Sequence, residues 1–202
     1  MTAISALTGK DNIKKQGSYS VRRKLFLIIL FLSLLGTDVA FSQIEEYTLK
    51  AIIFEKIARF LEWPDEAQNY GNEDLFIIGV LGKNPFGSKL EEIYTGRKIK
   101  NKAIKVLYFS EIKKIEDCHL LYISSSKRKE LSQILDVTRK RPILTISDTM
   151  GFAEMGVLVN LFVENNKLRF EINEQGFREA GLSVDPLLLK VARVINPQGG
   201  DE

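Results

Sequence analysis

The chain has 202 residues, 45% hydrophobic and 27% charged, the balance of a sequence that buries a core instead of staying disordered. Its single cysteine excludes an intramolecular disulfide and a cysteine-rich zinc cluster, and its single histidine excludes metal sites built on two imidazoles. The formal charge of +3 is concentrated at the start. Lys10, Lys14, Lys15, Arg22, Arg23 and Lys24 stand against only Asp11 and Asp38, leaving 23 basic and 24 acidic residues in 43–202. No nucleic-acid partner is therefore expected.

Residues 21–42 read as an export signal. Arg22, Arg23 and Lys24 precede the apolar run Leu25–Leu35, and Ala40 and Ser42 supply small residues at −3 and −1 for cleavage before Gln43. The run is too short to span a bilayer core, which needs about 20 residues. An uncleaved signal anchor is the alternative. No cysteine lies at the junction, which argues against a lipoprotein anchor. Residues 1–20 fit an n-region poorly and are read as a start-site artefact, with translation beginning at Val21.

The mature chain then alternates helix and strand. Tyr47, Ala51, Phe54, Ala58 and Leu61 form one apolar stripe on a helix predicted over 44–62, ended by Trp63-Pro64. Leu75–Leu81 is apolar throughout, the habit of a strand buried on both faces in a parallel sheet. A short helix after Asn84-Pro85, strands at 104–109 and 119–123, a helix over 127–139 and a strand at 143–146 follow. Val157–Val163 and Lys167–Ile172 flank Asn165-Asn166 and form a hairpin on a type I′ turn. Leu168, Phe170 and Ile172 share one face of its second strand, and Lys167, Arg169 and Glu171 the other. Asn173 caps a short helix that Gly181 stops, and Asp185-Pro186 opens a final helix over 187–195. The fold expected is one α/β domain, residues 43–197, with a tail at 198–202. Its sheet is mixed and mostly parallel, flanked by helices, with a C-terminal antiparallel hairpin.

Constellations able to carry chemistry are weak. Cys118 and His119 are adjacent, and adjacent strand residues point to opposite faces, so the pair makes a poor nucleophile and base. They are expected to be a buried thiol and a half-buried imidazole. Gly79, Gly82 and Gly87 match neither the dinucleotide fingerprint nor the P-loop and read as a tight strand-to-helix turn. Asp148 follows the last parallel strand, where it forms a turn more readily than a general acid. Ser124, Ser125 and Ser126 read as a helix cap. Neither a catalytic residue nor a metal ligand nor a cofactor is assigned. The candidates for partner or ligand binding are Trp63, His119, Arg169, Glu171 and Asn173.

Several segments taken together resemble the YfiR-like family of exported bacterial proteins. They are YTLKAIIFEKIARFLEWP (47–64), IGVLGKNPFG (78–87), CHLLYIS (118–124), LTISDTMGFAEMG (144–156), LRFEIN (168–173) and AGLSVDPLLLKVA (180–192). The resemblance implies a non-catalytic periplasmic regulator. Such a protein binds the periplasmic part of an inner-membrane sensor, a diguanylate cyclase or a histidine kinase type, and represses its signalling until envelope or redox stress. It also implies a homodimer as one state and membrane association only through the partner. Cys118 matches a position where some members form disulfides, and here only an intermolecular one could form. A periplasmic small-ligand-binding protein is the alternative. A hydrolase would have only Cys118, His119 and Asp148 to work with.

Overall fold

The computed structural model describes residues 37–67, 74–115 and 118–195. The chain falls into two compact units, 1–45 and 46–202. The leader expected over 1–42 lies outside the described residues except at 37–42, where the backbone is helical, and the tail at 198–202 lies outside them entirely.

Strand β2 (Leu75–Leu81) organises the second unit. Its residues are all apolar or glycine, and six of the seven are buried, which only a strand with packed layers on both sides can satisfy. Alternation splits it: Phe76, Ile78 and Val80 enter one core, Ile77 and Leu81 the other. Helices α1 (Thr37–Arg59) and α2 (Lys89–Tyr94) supply the first core through Ala51, Phe54, Ile57, Ala58, Leu90 and Tyr94. Helix α3 (Leu131–Thr138) supplies the second through Leu131, Ile134 and Leu135.

The two-residue strand β1 (Leu61–Glu62) pairs antiparallel with β9 (Ser183–Val184) in a separate two-stranded sheet. The remaining strands are β3 (Lys98–Ile99), β4 (Lys102–Phe109), β5 (Leu120–Ile123), β6 (Leu144–Ser147), β7 (Val159–Glu164), β8 (Lys167–Asn173) and β10 (Arg193–Ile195). They make an eight-stranded sheet with β2, in the order β10-β8-β7-β6-β5-β2-β4-β3. Strands β4, β2, β5, β6 and β7 are parallel; β8 and β3 run antiparallel to their inner neighbours, and β10 runs parallel to β8. The parallel part has the 2-1-3-4-5 order of a doubly wound sheet, whose crevice opens at the carboxyl ends of β2 and β5. The mixed, mostly parallel sheet with its terminal hairpin is the architecture expected from the sequence.

The hairpin turns on Asn165 and Asn166 with φ of 51° and 57°, the two positive angles a type I′ turn requires. Its register runs from Val159–Ile172 to Glu164–Lys167. Helix α4 (Glu174–Glu179) starts where expected, because Asn173 Oδ1 accepts the Gly176 N–H at 2.9 Å.

Two helices end three or more residues earlier in the structure than the sequence reading expects. The first ends at Arg59, so Leu61 and Glu62 extend into β1 before the Trp63-Pro64 stop is reached. The last, α5 (Pro186–Val191), is capped by Asp185 as expected but gives way at Ala192 to strand β10. Edge pairing with β8 outweighs helix continuation there, since Arg193 reaches both Glu164 at 2.8 Å and Glu171 at 3.2 Å and lies over the Phe162 ring.

Candidate functional site

At the crevice end of the sheet, the turn after β6 carries Asp148. Ser147 shapes that turn by donating to Ile123 C=O at 2.8 Å and accepting from Thr149 N–H at 3.3 Å. Asp148 is thereby turned inward. Its Oδ1 accepts from the Tyr122 hydroxyl at 2.7 Å and its Oδ2 from Lys50 Nζ at 2.6 Å, and Tyr47 bonds it as well. Lys50 also meets Glu46 at 2.5 Å and lies 4.4 Å from the centre of the Tyr47 ring. Both partners of the central pair are buried, with side chains 5% and 8% exposed. Burial, reinforced by the Asp148 carboxylate, pushes the Tyr47 hydroxyl up to about 12 and the Tyr122 hydroxyl far above its usual range. Both tyrosines therefore stay protonated donors.

The glycines of the β2 loop form a structural turn. Gly82 has φ of 92°, and a Cβ there would fall 2.5 Å from Ser126 Oγ, the atom that accepts the Lys83 N–H at 2.9 Å. Ser124 Oγ in turn accepts the Ser126 N–H. The loop's N–H groups are spent within the fold, Gly82 on Phe109 C=O, Lys83 on Ser126 and Phe86 on Asn84, as the sequence reading of a turn expects.

At the opposite end of the sheet the structure brings together two of the sequence candidates. Trp63 and His119 have ring centres 6.3 Å apart, with Phe76 stacked on His119 at 4.6 Å and edge-on to Trp63 at 5.5 Å. His119 Nδ1 accepts the Ile77 N–H at 3.1 Å, which leaves the ring proton on Nε2. The imidazole is 2% exposed rather than half-buried. Burial first, and the Lys102 ammonium second, lower its pKa to about 4. Trp63, Phe76 and His119 line a cavity of about 170 Å³ together with Glu62, Lys100 and Lys102.

Cys118 enters the core on the other face of the sheet, beside Gly79 and Leu121, and is fully buried. The opposite-face expectation for Cys118 and His119 holds. A disulfide from Cys118 to another molecule would first require that core to open. Among the described residues, no group of three or more His, Cys, Asp or Glu side chains is placed to hold a metal ion.

The other candidates lie apart from this cluster, on β8. Arg169 is exposed on the hairpin. Glu171 is half-buried and engaged, accepting from Arg193 at 3.2 Å and from Asn160 Nδ2 at 3.5 Å. Asn173 is buried at its cap, on the wall of a separate cavity of about 240 Å³ near Arg139 and Glu154. Glu171→Gln is expected to loosen β10 and to cost about 0.5–1 kcal/mol, whereas Arg169→Ala should stay within about 0.5 kcal/mol of the parent. Urea denaturation of the two variants checks this.

Sequence reasoning missed the Lys50–Asp148 cluster. A signal was present, since Lys50 falls three residues after Tyr47 and so shares the apolar stripe of α1.

The family model described as YfiR/HmsC-like matches residues 47–193. A search of the curated proteins finds no match. Among solved structures, the ABC domain in complex with L-Trp from Streptococcus pneumonia is similar at 11% identity with a TM-score of 0.45. That likeness covers 64% of this chain and 60% of that one, so the chain spans about three fifths of that structure's length.

Proposed function

The chain belongs to the YfiR/HmsC-like family, and from that membership we propose that it is a non-catalytic periplasmic regulator of an inner-membrane sensor. The sensor favoured is a diguanylate cyclase, whose periplasmic part the protein binds and holds inactive. The supporting observation is the family match over nearly the whole second unit. The geometry agrees with it: Asp148 is committed to Lys50, Tyr122 and Tyr47, and His119 to the Ile77 N–H, so the polar groups best placed for chemistry act as structural anchors.

Repression by binding is a population shift. Moving a sensor from one part in a hundred inactive to ninety-nine requires about 10⁴-fold tighter binding to the inactive form, about 5.5 kcal/mol. Release of the regulator returns the sensor to its own equilibrium. Affinity capture on the tagged chain from gently solubilised envelopes is expected to recover one inner-membrane protein with a cytoplasmic signalling domain. Recovery of the bait alone would overturn the reading.

One observation favours a second reading, a periplasmic small-ligand-binding protein. The cavity of Trp63, Phe76 and His119 sets three aromatic rings beside Lys100 and Lys102. Trp63 is the chain's only tryptophan, so quenching of its fluorescence in a metabolite screen reads occupancy of that cavity directly.

A further inference from the structure

The sheet has an edge that the described residues leave open. Strand β4 runs for eight residues and is paired along its full inner side with β2, from Leu75–Ala103 to Leu81–Phe109. On its outer side β3 supplies only two pairs, Lys98–Ala103 and Ile99–Lys102, across a two-residue turn in which Lys100 and Asn101 have φ of 50° and 65°. Ala103 N–H donates to Asp74 C=O and Phe109 C=O accepts from Gly82 N–H, so the odd-numbered residues face β2. The even-numbered ones face outward. Beyond the Lys98–Ala103 pair, the backbone groups of Val106 and Tyr108 therefore meet no strand among the described residues.

Beside this edge lies a groove of about 280 Å³ between the end of α2 and β4, lined by Tyr94, Gly96, Lys98, Ile104 and Val106. Glu91 closes its far end, accepting from the Tyr108 hydroxyl at 2.5 Å. The chain beside the groove, through β3 and the start of β4, is basic. Residues 96–105 contain Arg97, Lys98, Lys100, Lys102 and Lys105 and no acid, against 18 basic and 24 acidic residues in the rest of 43–202. Arg97 and Lys100 pair with Glu55 and Glu62. Lys98 and Lys105 are exposed and enter no ion pair among the described residues.

We propose that this edge is the partner-docking surface, and that its occupant is an extended acidic segment of the partner that adds to β4 as a new strand. Main-chain hydrogen bonds to Val106 and Tyr108 would hold the segment, alternate side chains would enter the groove against Ile104 and Val106, and its carboxylates would face Lys98 and Lys105. Lysines on an open edge can also serve only to repel other strands. The two roles differ in outcome, since a guarded edge binds no acidic strand.

The inference rests on the partner-binding reading, and two experiments separate them. In the first, the full chain is titrated by calorimetry with a ten-residue peptide alternating valine and glutamate, its lysine counterpart, and the acidic peptide N-methylated at every second residue. Only the unmethylated acidic peptide should bind, with affinity falling about tenfold or more in the K98E/K105E variant and with added salt, and with slowed amide exchange at Val106 and Tyr108. Equal binding of the lysine peptide, unchanged exchange at those amides or no binding overturns the proposal. In the second, the envelope capture is repeated with K98E/K105E and with Val106→Pro, which removes one outward N–H and leaves the β2 ladder intact. A sensor captured by the parent and equally by both variants overturns the edge while leaving the regulator reading standing. Failure of the parent to capture anything overturns that reading, and the peptide titration still decides the edge.

Discussion

Asp148→Ala is expected to cost about 3–5 kcal/mol of folding stability, the largest loss expected from a single polar side chain among the described residues. The reason is Lys50. Its ammonium is 5% exposed and is held by Asp148 at 2.6 Å, and when Asp148 is removed it keeps as a charged partner only the half-buried Glu46, beside the Tyr47 ring. Two tyrosine hydroxyls lose their acceptor at the same time. The reverse deletion, Lys50→Met, should cost less, because Asp148 keeps Tyr122 and Tyr47 as donors. The double variant Lys50→Met with Asp148→Leu should recover much of the loss, since an apolar pair replaces a desolvated ion pair. A double-mutant cycle in urea measures the coupling. Additive costs for the two single changes would show that the pair is not coupled.

Stability should also fall as the pH is lowered from about 6.5 to about 4, and His119 should account for about 3 kcal/mol of that fall. The sign follows from where the proton binds. The folded protein holds the imidazole neutral down to about pH 4, between the Phe76 and Trp63 rings and near the Lys102 ammonium, whereas the unfolded chain takes up the proton near 6.5. In that window the unfolded state binds more protons, so stability rises with pH. The contribution is complete above about 6.5 and lost below about 4. His119→Asn keeps an acceptor for the Ile77 N–H and cannot titrate. Subtracting its denaturation curve from the parent's, at pH 4 to 7, isolates the histidine from the carboxylates. A difference that does not change with pH would mean the ring is not held neutral.

Local chemistry made much of the fold legible. The run Leu75–Leu81 announced a doubly covered strand, Asn165-Asn166 a tight hairpin turn, and Asn173 and Asp185 the starts of two helices, each because one or two residues dictate the backbone there. The ends of helices were less legible. Nothing within 187–195 distinguishes a long helix from a short helix followed by an edge strand, because the pull on Arg193 comes from Glu164 and Glu171, 29 and 22 residues away in sequence.

The candidate sites divide in the same way. Trp63 and His119 were singled out as the only residues of their kinds, and the fold places them against one another. Strand alternation makes Glu171 a candidate for partner or ligand binding, yet it is engaged within the chain by Arg193 on β10, which the sequence reading takes as helix. Asp148 was weighed alone, as a lone aspartate after a strand, when its meaning lies in Lys50, 98 residues earlier. The open stretch of the β4 edge is not legible for a related reason: strand content can be read from residues 102–109, but that β3 pairs only its first two residues is a property of the whole sheet.

The sequence by itself determined the alternation of helices and strands, the hairpin, the caps, the charge balance and the family. All of these are set by residues close together in the chain or by the order of segments. Only the tertiary structure decided which charges are buried together, which histidine nitrogen carries the proton and which strand edge faces outward. Those depend on desolvation and pairing between residues that meet only when the sheet closes, and burial decides whether a charge is a solvated surface group or a structural anchor.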